Sequence, residues 1–268
     1  MAKLKSAPIT QQDLEEFLAS ESDFAFEMKV LDALRKLGFA CEHSGLYEDP
    51  VTNKFREFDI RAIKNHGSYK LSLAVECKNF QASYPLLVLA TRRTPDETFH
   101  QMISYYVGSM NYPRIERVKS DQSLYSLTAH VGKSTNQVGR PDTKEKQPRP
   151  AFVVNDDAAY DKISQAINSS RDLVVDAMRD GSPPLIRVIL PVLVVPSAVL
   201  WQIDYNSDGS VAEQVRQVQE TTYFINHLWS EQQTRYVNFR ISHLHIVTFD
   251  RLKDAIAEWL GENGFFRA

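Results

Sequence analysis

Only two of the 268 residues are cysteine, Cys41 and Cys77, and they stand far apart with no Cys-x-x-Cys pair. That pattern excludes a disulfide scaffold and a thiolate zinc module, and it fits a reducing cytoplasm. Long apolar runs are missing as well. The most apolar stretch, Leu185 to Trp201, is broken by Arg187, Pro191 and Pro196, so it is too short to span a bilayer and reads as buried strand. The first ten residues carry lysines but no apolar core, so no signal peptide is expected. Positive charge is not in excess either, since 31 Lys and Arg against 34 Asp and Glu leave a formal net charge of -3. An autonomous nucleic-acid binder usually carries a basic footprint, so any such binding here must use a local patch. No internal repeat is visible, and length and apolar fraction suit a single α/β domain over 1–268 with a substantial core.

What is present begins with helix signals. Thr10-Gln11-Gln12-Asp13 resembles a capping box and opens a short helix to about Ala19, part of an N-terminal helical extension over 1–22. Phe26, Val30, Ala33, Leu34 and Leu37 then recur at helical spacing, with Gly38 where a left-handed residue would end the helix. Strands are expected over Phe55–Ile63 and Tyr69–Asn79, joined by a hairpin turn at Asn65-His66-Gly67-Ser68. Thr94-Pro95-Asp96-Glu97 predicts a helix through about Met110, and 132–150 reads as a basic loop. A helix over Ala158–Arg179, strands over Ile186–Val195 and Leu200–Tyr205, and a final strand and helix over His243–Phe249 and Arg251–Leu260 complete the pattern. Between them, Val211, Val215 and Val218 predict a helix that gives way to strand near Thr221. Such helix–strand alternation indicates a mixed sheet flanked by helices.

The chemistry concentrates on the first two of these strands. Side chains alternate faces along a strand, so Glu57 and Asp59 point one way together, as do Glu76 and Lys78. Hydrolysis of a phosphodiester needs charge neutralisation on a phosphate oxygen and a source of hydroxide, and hard divalent ions held by carboxylates supply both. Asp59 and Glu76 form a minimal Mg²⁺ site, with the backbone carbonyl of Cys77 as a further ligand. Lys78 would orient or deprotonate the attacking water, and Glu27 flanks the helical stripe that docks on the sheet. Glu57 is set aside, because Arg56 or Arg61 beside it is the more ordinary partner.

The series Glu27, Asp59, then Glu76-Cys77-Lys78, in the order helix, strand, strand, resembles the PD-(D/E)xK nuclease superfamily, with Phe58 where the motif's proline would stand. The resemblance covers roughly the first third of the chain. It implies a restriction-endonuclease-like core with an elaborated second half. It also implies Asp59, Glu76 and the Cys77 carbonyl as metal ligands, Lys78 as the catalytic lysine and Glu27 as the helix acid. The activity implied is Mg²⁺-dependent endonuclease or phosphodiesterase action on DNA, with Mn²⁺ as substitute metal and RNA as the other candidate substrate, in restriction, phage defence or repair. A homodimer or a defence-complex partner is the assembly such enzymes suggest, since duplex cleavage needs one site per strand. The alternative is a catalytically inactive nuclease-like subunit that binds nucleic acid or protein.

Three further features carry two readings each. Gln101 and Tyr105 resemble a Gln-x-x-x-Tyr feature of one branch of the same superfamily, or are a surface Gln beside a core Tyr on a helix. Lys133, Arg140, Lys144, Lys146 and Arg149 would contact phosphates or belong to a solvated loop. His243-x-His245 puts two imidazoles on one strand face without an evident third ligand, which favours a structural pair over a metal site. Lys162, Gln165, Asn168 and Arg171 mark a polar helix face of the usual solvated kind.

Overall fold

A computed structural model describes residues 7–20, 22–106, 112–120, 124–141, 152–155, 157–231, 237–261 and 264–266. Two helices, α1 (Gln11–Ser20) and α2 (Phe24–Lys36), precede strands β1 (Ala40–Glu48), β2 (Phe55–His66) and β3 (Tyr69–Cys77). There follow β4 (Leu86–Arg92), a single 3-10 turn (Pro95–Glu97), β5 (Phe99–Tyr105), β6 (Pro113–Lys119), β7 (His130–Gly139) and β8 (Val153–Asn155). A long helix, α3 (Asp157–Arg179), leads into β9 (Ile186–Val195), β10 (Leu200–Tyr205), β11 (Arg216–Gln217), β12 (Glu220–Glu231), β13 (Val237–Thr248) and α4 (Leu252–Leu260).

All thirteen strands of the described residues join one mixed sheet, whose main path runs β1-β2-β3-β9-β13-β12-β7-β4-β10-β11. The expected α/β class, a mixed sheet flanked by helices, is met. β1, β2 and β3 are antiparallel neighbours, and β9 returns parallel to β3, from Tyr69 beside Ile186 to Cys77 beside Val194. Parallel neighbours need a crossover, and α3 lies within the segment that makes it. Alternation along β3 then allots the two faces. Leu71, Leu73, Val75 and Cys77 pack with Val30 and Leu34 of α2 and Ile256 and Trp259 of α4. Ala74 packs with Leu173 and Val174 of α3, so Glu76, two residues on, faces α3 as well.

Where the apolar pattern was plain, elements form as expected. Gly38 takes a φ of +83° just beyond α2, and β9 and β10 span the stretches their β-branched runs indicate. Three expectations are corrected. The capping box at Thr94 is real but closes only the 3-10 turn, and Phe99–Tyr105 is strand. Its residues are buried on both faces, Ile103 and Tyr105 against Leu173 and Ala177 of α3 and Met102 against the other core, which hides the two-residue period. The basic loop over 132–150 is strand as far as Gly139, while 142–150, with Lys144, Lys146 and Arg149, lie outside the described residues. Its glycines are not breakers. A Cβ at Gly132 would stand 2.7 Å from Val88, and one at Gly139 would meet the Tyr84 ring, so both permit close packing within the sheet. Finally, no helix forms at Val211 and Val215, which are exposed along the sheet edge, where Gln217 pairs with Trp201. Among the described residues no helix is long and apolar enough to cross a membrane.

Candidate active site

The ladder between β2 and β3 ends at the pair Ile60–Val75, which releases the next backbone amides to find other acceptors. The Cys77 amide donates to Asp59 Oδ2 at 2.7 Å, and the Asp59 amide donates to Glu76 Oε1 at 3.4 Å. Two neighbouring strands thus hold two carboxylates through each other's main chain. Asp59 is 8% exposed and Glu76 fully buried. The described contact of Cys77 with Asp59 runs through its amide rather than its carbonyl.

Two buried carboxylates side by side demand a cation, and α3 provides it. Lys162 Nζ donates to Asp59 Oδ2 at 2.8 Å, to Asp59 Oδ1 at 3.0 Å and to Glu76 Oε2 at 3.0 Å. Burial opposes the Lys162 charge, but Glu76 and Asp59 outweigh it and hold its pKa above the ordinary value. Burial, followed by the Asp59 charge, pushes the Glu76 carboxyl up to about 8, against the pull of Lys162. One ammonium cannot fully neutralise two carboxylates, so the pair retains a proton near neutral pH.

Asp59 and Lys162 line a cleft of about 480 Å³, together with Glu27 and Phe24 of α2, Arg56 and Glu57 of β2 and Gln165 of α3, while Glu76 lies fully buried behind them. Glu27 stands 3.5 Å from His43 Nε2 of β1. Burial and then the Asp59 charge raise its pKa, which sets it within the field of the triad. Glu57 lines the cleft, and the partners expected for it are engaged elsewhere, Arg56 with Asp49 at 2.7 Å and Arg61 with Asp172 at 2.9 Å. Tyr47 of β1 carries a buried hydroxyl with no hydrogen-bond partner, and burial, then the Glu76 charge, pushes its pKa up to about 12.

The donor set fits a hard divalent ion. Asp59 and Glu76 offer oxygen ligands, and the Lys162 ammonium, bonded to three of their four oxygens, stands where the ion would bind and would have to give way to it. Among the described residues no three of His, Cys, Asp or Glu form a metal-holding group, so such an ion would rely on two carboxylates and solvent, as Mg²⁺ usually does.

Of the residues singled out by sequence, Glu27 and Asp59 line this cleft, Glu76 lies buried behind it in contact with the Asp59 amide and Lys162, and Lys78 goes elsewhere. Its ammonium pairs with Asp23 at 2.7 Å, because β3 ends at Cys77 and strand alternation no longer governs the next side chain. Gln101 and Tyr105 lie on β5 rather than on a helix. Gln101 accepts from the Arg240 amide, and the Tyr105 hydroxyl donates to the Ala177 carbonyl at 2.8 Å. Lys133 pairs with Glu97 and covers the Phe224 ring, while Arg140 is exposed just beyond β7. Lys162 is the residue the linear pattern hid. Its signal is positional: Ala159, Ala166, Ser169 and Ser170 are small and buried, which brings α3 close to the sheet and carries the adjacent lysine inward.

Comparison with protein-family models, with curated proteins and with solved structures gave no match. Function is therefore argued from the chemistry of the cleft.

Proposed function

We propose that this chain is a metal-dependent nuclease with a restriction-endonuclease-like core, which hydrolyses DNA phosphodiester bonds in the Asp59–Glu76 cleft. The observation that carries this reading is the Lys162 ammonium held between two buried carboxylates on adjacent strands, at the floor of an open cleft. The chain order α2, β1, β2, β3, with β9 parallel to β3, supports the same core. Asp59 and Glu76 would hold Mg²⁺ or Mn²⁺, which supplies charge neutralisation on a phosphate oxygen and a more acidic water.

The chain's own groups do the rest. Asp59 is fixed by the Cys77 amide, and it would act as a ligand once the Lys162 ammonium, which donates to both of its oxygens, gives way to the ion. Lys162 takes the role that the linear motif gives to Lys78, placing positive charge beside the phosphate as negative charge develops. Glu27 has a raised pKa and a place in the cleft wall, which suits it to accept a proton from water. Arg56 offers a guanidinium to the backbone of the substrate.

A second reading rests on the same triad. Lys162 satisfies both carboxylates directly, as it would in a structural ion cluster of a scaffold that binds nucleic acid or protein without cutting. Incubation with supercoiled plasmid, linear duplex, single-stranded DNA and RNA in Mg²⁺, Mn²⁺ or EDTA separates the two. The nuclease reading expects metal-dependent cleavage that disappears in folded Asp59→Ala and Lys162→Met. Binding without cleavage in every metal would favour the scaffold, and cleavage that survives Asp59→Ala would remove this cleft from the reaction.

A further inference from the structure

Arg93 is 5% exposed, yet no carboxylate lies at hydrogen-bond distance from it among the described residues. Its Nη1 donates to the Glu97 carbonyl at 3.5 Å and to His243 Nε2 at 3.0 Å, and its Nη2 donates to the Thr222 hydroxyl. Its Nε has no hydrogen-bond partner among the described residues. The nearby Glu97 carboxylate is engaged by Lys133 and by the Thr94 amide. A guanidinium has five N–H donors, so Nε and the second hydrogen of Nη2 are left over, on neighbouring nitrogens of the fork that grips oxyanions in bidentate fashion.

The surrounding rings add no negative charge. His243 stacks on Tyr125 at 3.9 Å, and the Tyr125 hydroxyl bonds His245 Nε2 at 2.8 Å. Burial keeps both imidazoles neutral, His243 well below its ordinary pKa and His245 down to about 3. This explains the His-x-His pair as a buried aromatic cluster. Arg93 also borders a cavity of about 360 Å³ that Arg216, His130, Thr222 and Trp259 help to line. Arg216 is paired with Asp204, and the acidic wall residues Glu220 and Glu258 are both paired with Arg251. Among the described residues Arg93 is left as a buried charge with no carboxylate bonded to it, a costly state that an anionic ligand would relieve.

We propose that this cavity is a second ligand site, which binds a phosphate group between the free Nη2 donor of Arg93 and the Thr222 hydroxyl beside it. Thr222 accepts from Arg93 and so keeps its own O–H to donate to a further oxygen of the ligand. The cavity, at about 360 Å³, exceeds what a lone carboxylate fills and suits inorganic phosphate or the phosphate of a mononucleotide. The site is separate from the Lys162 cleft. His243 and His245 alternate with Leu244 and Ile246, which pack under α3, so the cavity opens on the opposite face of the sheet.

The test is calorimetric titration of the full chain, at constant ionic strength and without metal, with inorganic phosphate, deoxyadenosine monophosphate and acetate. Saturable phosphate binding is expected, weakened tenfold or more in Arg93→Lys, which keeps the charge but loses the fork, and unchanged in Asp59→Asn. Tighter binding of the mononucleotide assigns the nucleotide source, and equal binding assigns free phosphate. Thr222→Val, at the half-buried rim, carries the test if Arg93→Lys does not fold by circular dichroism, with severalfold weakening expected. No saturable binding, undiminished binding in the variants, or acetate binding as tightly as phosphate would overturn the proposal.

Discussion

The Lys78 ammonium lies 2.7 Å from the Asp23 carboxylate, which also accepts the Asn79 amide at 2.8 Å. Asp23 directly precedes α2, so this contact ties the end of β3 to the helix that carries Glu27. Lys78 therefore positions an element, whereas Lys162 meets the acids. Lys78→Met should lower stability by about 1.5–3 kcal/mol in denaturant unfolding, the usual range for a charged hydrogen bond. Its metal-dependent cleavage should fall less than tenfold, against complete loss in Lys162→Met. The reverse order of the two activities would return the catalytic role to Lys78.

The raised pKa of Glu76 makes stability depend on pH in a defined direction. Between its ordinary value of 4.5 and about 8, the folded chain holds a proton that the unfolded chain has lost. Stability from this group is thus complete at low pH and is lost as pH rises through 8. The buried histidines act below 6.5, so the clean window is pH 6.5 to 8. There, urea unfolding should show stability falling by up to about 1.4 kcal/mol per pH unit. Glu76→Gln should flatten that slope, and an unchanged slope in the variant would assign it to other groups.

Metal binding should expel the same proton, because a carboxylate must ionise to become a ligand. Mn²⁺ titrations at about pH 7, in buffers of different ionisation enthalpy, should report release approaching one proton per metal bound. Affinity should rise by up to tenfold per pH unit until about pH 8 and then level off. Binding with no proton exchange would place the metal away from Glu76.

Lys162→Met strands two carboxylates that share a buried site. Its stability at pH 7 should fall by about 2 kcal/mol, below the range of about 3–5 kcal/mol for stranding a buried charge, since the pair already holds a proton and only one negative charge is left unbalanced. Mg²⁺ or Mn²⁺ should then raise the melting temperature of the variant by more than that of the wild type, because the ion replaces the missing ammonium. A smaller shift in the variant would show that lysine and metal do not compete for the same charge.

The carboxylates were legible in the sequence because their strands announce themselves: apolar residues alternate around Asp59 and Glu76, and Gly67 supplies the positive φ of the tight turn between. Lysine placement was not legible. Lys78 belongs to the motif by spacing, but the strand stops one residue before it, and Lys162 reaches the site through helix packing that no local pattern encodes. The misread stretch after Thr94 has the same origin, since a strand covered on both faces loses the alternation that would reveal it. The Arg93 cavity draws on six separate segments, of which only the one with His245 stood out in the sequence.

The hairpin β2–β3 also sets an order of assembly. Asp59 and Glu76 are brought together by contacts local in sequence around a short turn, whereas the ammonium that balances them comes from 103 positions downstream of Asp59. Local pairings of this kind form in microseconds, and distant ones wait for the chain to close a long loop. A nascent chain released only as far as β3 therefore presents an unbalanced acid pair to solvent, and its first counter-ion is whatever dissolved cation the compartment provides.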